Sequence, residues 1–162
     1  FLTFAIRAQF APLEAQMQSA GGVGIVDYEL AFSAEKAGAM LGAWGEMGQA
    51  AARQSLLIDY AFMPAYALLF GAITLLLART QSGRMRRAGL WLTAGQIGAA
   101  LLDALENAML LIMLGASPVP AIPPLVAGVA ASLKFGLLAA AIVYWLACGV
   151  ISGARRLSPQ HR

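Results

Sequence analysis

The chain has 162 residues, of which 60% are hydrophobic and 12% charged, with a mean hydropathy of +0.71. An average soluble domain is about 25% charged and at most half apolar, so this composition excludes an ordinary soluble domain and points to a single membrane domain. The net charge of +3, with a pI of 9.4, does not imply a nucleic-acid partner, because the basic residues gather at two places that membrane topology explains.

In chain order, residues 1–18 predict a helix. Leu2, Ile6, Phe10, Leu13 and Met17 share one face, and Arg7, Glu14 and Gln18 the other. Pro12 predicts a kink. No basic stretch followed by an apolar core opens the chain, so an intact signal peptide is not expected. Two readings stand for this helix: the end of a first membrane helix, or a wholly extracytoplasmic amphipathic helix. The stretch AGGVG predicts a turn. Ser33 then suits the N-cap of a helix over 33–52, with Glu35 in its first turn. Ala37, Met40, Leu41, Trp44 and Met47 form its apolar stripe. Such a helix lies on the outer membrane surface or packs on its own bundle.

Three further segments, residues 56–78, 88–114 and 122–151, are apolar and longer than the roughly 20 residues that cross a bilayer. Between the first two lies RTQSGRMRR, with Arg79, Arg84, Arg86 and Arg87. The tail, 152–162, adds Arg155, Arg156 and Arg162. The other connection, GASPVPAIPP, is uncharged and rich in proline. The positive-inside rule puts the Arg79–Arg87 loop and the C-terminus in the cytoplasm and the proline loop outside. Trp91, Tyr144 and Trp145 then stand near the cytoplasmic boundary as interfacial anchors. The fold expected is an all-α integral membrane protein, a four-helix transmembrane bundle with an extracytoplasmic amphipathic helix between its first and second helices. Gly38 and Gly42 form a GxxxG that suits close helix approach.

Polar groups inside these spans carry the functional question. At 1.5 Å rise per residue, Asp103 falls about 3 Å outward of the midplane, Glu106 about 7–8 Å, Asn107 about 9 Å, Lys134 about 4 Å and Asp59 about 12 Å. Thr93, Gln96, Asp103 and Asn107 share one stripe, with Glu106 up to a quarter turn or more away. Asp59, Met63, Tyr66 and Phe70 share another, and Pro64 cannot donate to the Tyr60 carbonyl. A central charge facing lipid costs about 2.5–3.5 kcal/mol on insertion scales, so an Asp103–Lys134 pair is expected, with Glu106 or Asp59 completing a network and Arg53 reaching Asp59 from outside. The candidate ligand or ion-network residues are Asp59, Tyr66, Asp103, Glu106, Asn107 and Lys134.

Other chemistry has no pattern here. Cys148 is the single cysteine and His161 the single histidine, so no disulfide, metal or cofactor site is expected. The glycine-rich stretches GAWGEMG and GGVG follow no strand and precede no Lys-Ser/Thr, so they are not phosphate loops. No nucleophile–histidine arrangement exists, and no enzyme is expected.

The residues Asp59-Tyr60-Ala61-Phe62-Met63-Pro64-Ala65-Tyr66, the D-x-x-E-N of Asp103, Glu106 and Asn107, and the lone Lys134 together resemble a group of small bacterial inner-membrane proteins for which no activity is known. The likeness spans about residues 24–146 and implies the four-helix layout and that membrane. The function expected is a non-enzymatic accessory or structural membrane subunit, associating with other membrane proteins or with itself through small-residue faces. The alternative is a small carrier or receptor binding a proton, cation or amphipathic ligand among helices two to four.

Overall fold

The computed structural model describes the backbone of residues 8–157 and the side chains of 8–152. Five helices in chain order make up this region: α1 (Phe10–Gly21), α2 (Ile25–Glu29), α3 (Ala34–Arg79), α4 (Gly83–Leu114) and α5 (Ile122–Leu157). Three of them, α3, α4 and α5, are long and apolar enough to cross a membrane. This is an all-helical, membrane-embedded protein. Their outward faces carry exposed large apolar side chains such as Leu68, Ile97, Leu101, Val143 and Leu146, as a lipid-facing surface requires.

The first predicted helix is present from Phe10, and its start, 1–7, lies outside the described residues. At 12 residues, α1 is shorter than the roughly 20 needed to span. Pro12 causes no kink there: it stands in the first turn, where a missing N–H costs nothing. Leu13 and Met17 are buried as the apolar face predicts. The helix ends at Gly22, whose φ of 73° is the left-handed cap that glycine adopts without strain. The short α2 is fastened at its start by two carboxylates. Asp27 accepts from the Gly24 N–H at 2.9 Å, and Glu14 of α1 accepts from the Ile25 N–H at 3.2 Å.

The two helices expected at 33–52 and 56–78 are both present, as the two parts of α3 on either side of a kink, but they divide earlier than expected. Residues 46–56 contain no proline and are mostly good helix formers, so nothing ends the helix there. The interruption comes earlier, at Gly45, whose φ of 57° and ψ of −163° leave the helical region. Ser33 caps α3 as predicted, accepting from the Lys36 N–H at 3.2 Å. The stripe Ala37, Leu41 and Trp44 is buried against α1, α2 and α4, while Met47 is exposed. This segment therefore packs on its own bundle. Trp44 fixes it there, donating to the Val23 carbonyl at 3.0 Å and lying 5.1 Å from the Tyr28 ring.

The arginine-rich connection is also shorter than expected. Only Thr80–Ser82 separates α3 from α4, so Arg84, Arg86 and Arg87 sit in the first turns of α4, which begins five residues before the predicted 88. Arginine is a good helix former, and extension costs little. Likewise α5 continues to Leu157, through the first half of the predicted tail. Tyr144 is no free interfacial anchor. It is buried and donates to the Met85 carbonyl at 3.1 Å, whereas Trp91 is exposed. Trp145 donates to Thr74 at 2.8 Å, tying α5 to α3. In lipid the hydrophobic effect does not draw helices together, so such polar ties and close backbone approach hold the bundle.

Candidate functional site

Lys134 reaches inward from α5 and ends among carboxylates of two other helices. Its Nζ lies 2.8 Å from Asp103 Oδ1 and 2.7 Å from Glu106 Oε2 on α4, and 4.0 Å from Glu29 Oε2 on α2. All four residues are buried, Glu106 completely. The other Asp103 oxygen accepts from the Tyr66 hydroxyl at 2.9 Å, so α3, α4 and α5 meet through a single carboxylate. One helical turn further along α4, Asn107 donates to Asp59 Oδ2 at 2.9 Å and to the Leu56 carbonyl at 3.3 Å.

All six predicted residues thus fall into two adjoining networks. Tyr66, Asp103, Glu106 and Lys134 form one, and Asp59 and Asn107 the other. Glu106 is closer to the lysine than its helical phase predicts. The long lysine stem carries Nζ between two positions one turn apart on α4, so both carboxylates reach it. Arg53 makes no ion pair with Asp59 among the described residues. Gln96, on the same stripe, is buried but bonds its own helix through the Leu92 carbonyl.

Glu29 is the functional candidate that the sequence did not reveal. It lies in a five-residue helix outside every apolar run. The available signal was the pair Tyr28–Glu29 beside a predicted turn: Tyr28 is fully buried and donates to the Leu110 carbonyl, which carries its neighbour inward. Burial, and then the nearby Glu106 carboxyl, push the Glu29 carboxyl up to about 9 in spite of Lys134. Glu29 Oε2 is buried without a hydrogen-bond partner.

Beside these networks lies a cavity of about 590 Å³, within the range of small-molecule sites. Asp59, Asp103, Asn107, Lys134 and Glu29 line its polar end. Phe62, Tyr66 and Phe70 of α3, Phe10 of α1 and Phe135 of α5 line the rest. α1 packs on α3 and not closely on α5. The exposed rim residues Ala11, Val26 and Phe135 mark an opening on that side. Among the described residues no group of acidic, histidine or cysteine side chains is arranged to hold a metal ion. An ammonium, Lys134, occupies the point where the carboxylates converge.

The chain matches no protein-family model, no curated protein and no solved structure.

Proposed function

We propose that this protein is a non-enzymatic, multi-pass membrane protein that binds a small amphipathic ligand in the cavity beside Lys134. The observation that carries this reading is the cavity itself: charged and amide groups at one end, five aromatic side chains along its walls, and an opening between α1 and α5. A purely architectural network would account for the ion pairs, but it would leave the adjoining space unexplained, since membrane helices tend to close such gaps with small residues. The test is equilibrium binding of octyl amphiphiles with cationic, neutral and anionic heads to the full chain in zwitterionic nanodiscs, against empty nanodiscs. At least one binds the wild type and loses affinity at least tenfold in Ala11→Trp, which fills the mouth from an exposed position. Absence of saturable binding by all three, or equal binding by Ala11→Trp, rejects the reading.

The orientation proposed keeps the arginine-rich turn and the C-terminus cytoplasmic, in a bacterial inner membrane as the resemblance implies. Phe10 meets Phe62, in the apolar part of α3, at 5.6 Å between ring centroids. This favours α1 as the outer end of a fourth membrane helix, with the first part of α3, up to about Ala52, on the extracytoplasmic side. Cysteines at Arg84 and Met47, on a Cys148→Ser background, test this. A membrane-impermeant maleimide labels Met47→Cys in intact cells and Arg84→Cys only after lysis.

A second reading, self-association or docking on another membrane protein, is favoured by Gly42, where an added Cβ would meet open space. Gly42→Leu would then shift the oligomer to monomer in native mass spectrometry.

A further inference from the structure

The polar end of the cavity is unbalanced in charge type. Glu14, Glu29, Asp59 and Asp103 line it, and among the described residues Lys134 is its single basic side chain. That lysine is already met by Asp103 and Glu106. An anionic head would have to displace one of these carboxylates. Glu14 is occupied by Gln18 of its own helix and, joining α1 to α2, by the Ile25 N–H. Glu29 and Asp59 are not so committed. Glu29 Oε2, on a residue only 8% exposed, makes no hydrogen bond and has Lys134 no closer than 4.0 Å, and Asp59 is half-buried and held from one side by Asn107. The Phe135 ring already carries the Lys134 ammonium at 4.7 Å, but Phe62 and Tyr66 complete the surroundings, and aromatic rings attract an organic cation within about 6 Å.

Resting on the binding reading above, we propose that the cavity takes a lipophilic organic ammonium ion, with its positive end facing Glu29 and Asp59 beside the rings of Phe62 and Tyr66 and its tail leaving between α1 and α5. A bare metal cation is disfavoured by the absence of a metal-holding cluster among the described residues. A quaternary or alkylated ammonium needs no close oxygen shell and is content with carboxylates and ring faces.

The charge arrangement links this binding to protons. Glu29 faces Glu106 and Asp103 from α4 and Lys134 from α5, and it shares the cavity with Asp59 of α3 and Glu14 of α1. Burial first, and then Glu106 and Asp103, favour the protonated form of Glu29 in the empty site. An incoming cation favours the ionised form, so the Glu29 carboxyl proton leaves to solvent as the ammonium arrives. Binding then releases up to about one proton and tightens by up to about tenfold per pH unit below the Glu29 midpoint.

The experiment is calorimetric titration of the full chain in zwitterionic nanodiscs with octyltrimethylammonium, octanol and octanoate, each below its micelle concentration. Two buffers of different ionisation heat count the protons. Octyltrimethylammonium is expected to bind with proton release and tighter at pH 8 than at pH 7. Glu29→Gln abolishes the release, and both Glu29→Gln and Asp59→Asn weaken affinity about tenfold or more while keeping a cooperative melting transition. If octanol or octanoate binds and the cation does not, the ammonium inference falls and the cavity reading stands. If none of the three binds, both fall. Unchanged cation affinity in folded Glu29→Gln and Asp59→Asn also overturns the inference, and two variants guard against a single misfolded one.

Discussion

Asn107 holds α3 at two points one turn apart in space: its amide donates to the Asp59 carboxylate at 2.9 Å and to the Leu56 carbonyl at 3.3 Å. Asn107 is almost fully buried, so both acceptors depend on it where little water competes. Asn107→Leu keeps the volume and removes both donors. Leaving a buried or charged acceptor unmet costs about 1–3 kcal/mol. Thermal unfolding in a mild detergent is expected to show a clear loss for Asn107→Leu. Pairing it with Asp59→Asn, which removes the stranded charge, recovers part of that loss.

Lys134 is the stronger case. Lys134→Met leaves Asp103 and Glu106 facing one another with no cation at 2.8 and 2.7 Å. Breaking a buried ion pair on one side costs about 3–5 kcal/mol. The variant is expected to express poorly or melt well below wild type. Lys134→Met with Glu106→Gln recovers part of the deficit, and Lys134→Met with Asp103→Asn does likewise. A double-mutant cycle that is additive, with no recovery in either pair, contradicts the network drawn here.

The meeting of Lys134 with Asp103 was legible because helical rise alone puts both at nearly the same depth, and two charges in one lipid layer have strong reason to meet. Depth arithmetic works along an axis. It fails where rotation and side-chain length decide, as with Glu106, whose helical phase points it away but whose distance to a flexible lysine end does not. It has no purchase on Glu29, because α2 is fixed in space by tertiary contacts: the left-handed Gly22, the Glu14 and Asp27 carboxylates at its start, and Phe32 with a φ of 55° beyond its end. The place where α3 breaks was likewise hidden. The break was expected where polar residues give way to apolar ones, at about 53–55, whereas it falls at Gly45, the residue that adopts a positive φ without strain.

Backbone approach near the arginine-rich end gives a third prediction. A Cβ on Gly89 of α4 would run into the Tyr144 hydroxyl of α5 and the Ala78 side chain of α3. Gly89 thus lets three helices close at one level. Gly89→Val is expected to destabilise by about 1–3 kcal/mol, the usual cost of overpacking. Gly136→Val is the control, since an added Cβ there meets open space. Comparable melting temperatures for the two would contradict this packing.

Glu29 gives the pH dependence a definite sign. Its carboxyl is raised from the usual carboxylate range to about 9 in the folded protein, first by burial and next by Glu106, with Asp103 adding and Lys134 opposing. Between about 4.5 and about 9 the folded chain keeps a proton that the unfolded chain has released. Raising pH through that window therefore removes stability, by up to about 1.4 kcal/mol per unit for one proton. Glu29→Gln mimics the neutral form and has no proton to lose. Wild type is expected to lose melting temperature steadily from pH 6 to pH 9, and Glu29→Gln to lose distinctly less. The two curves converge only below about pH 4.5, where Glu29 is protonated in both states, and draw apart as pH rises through the window. Parallel curves over the whole range would mean that Glu29 is ionised in the folded protein and that its place beside Glu106 is not the one described.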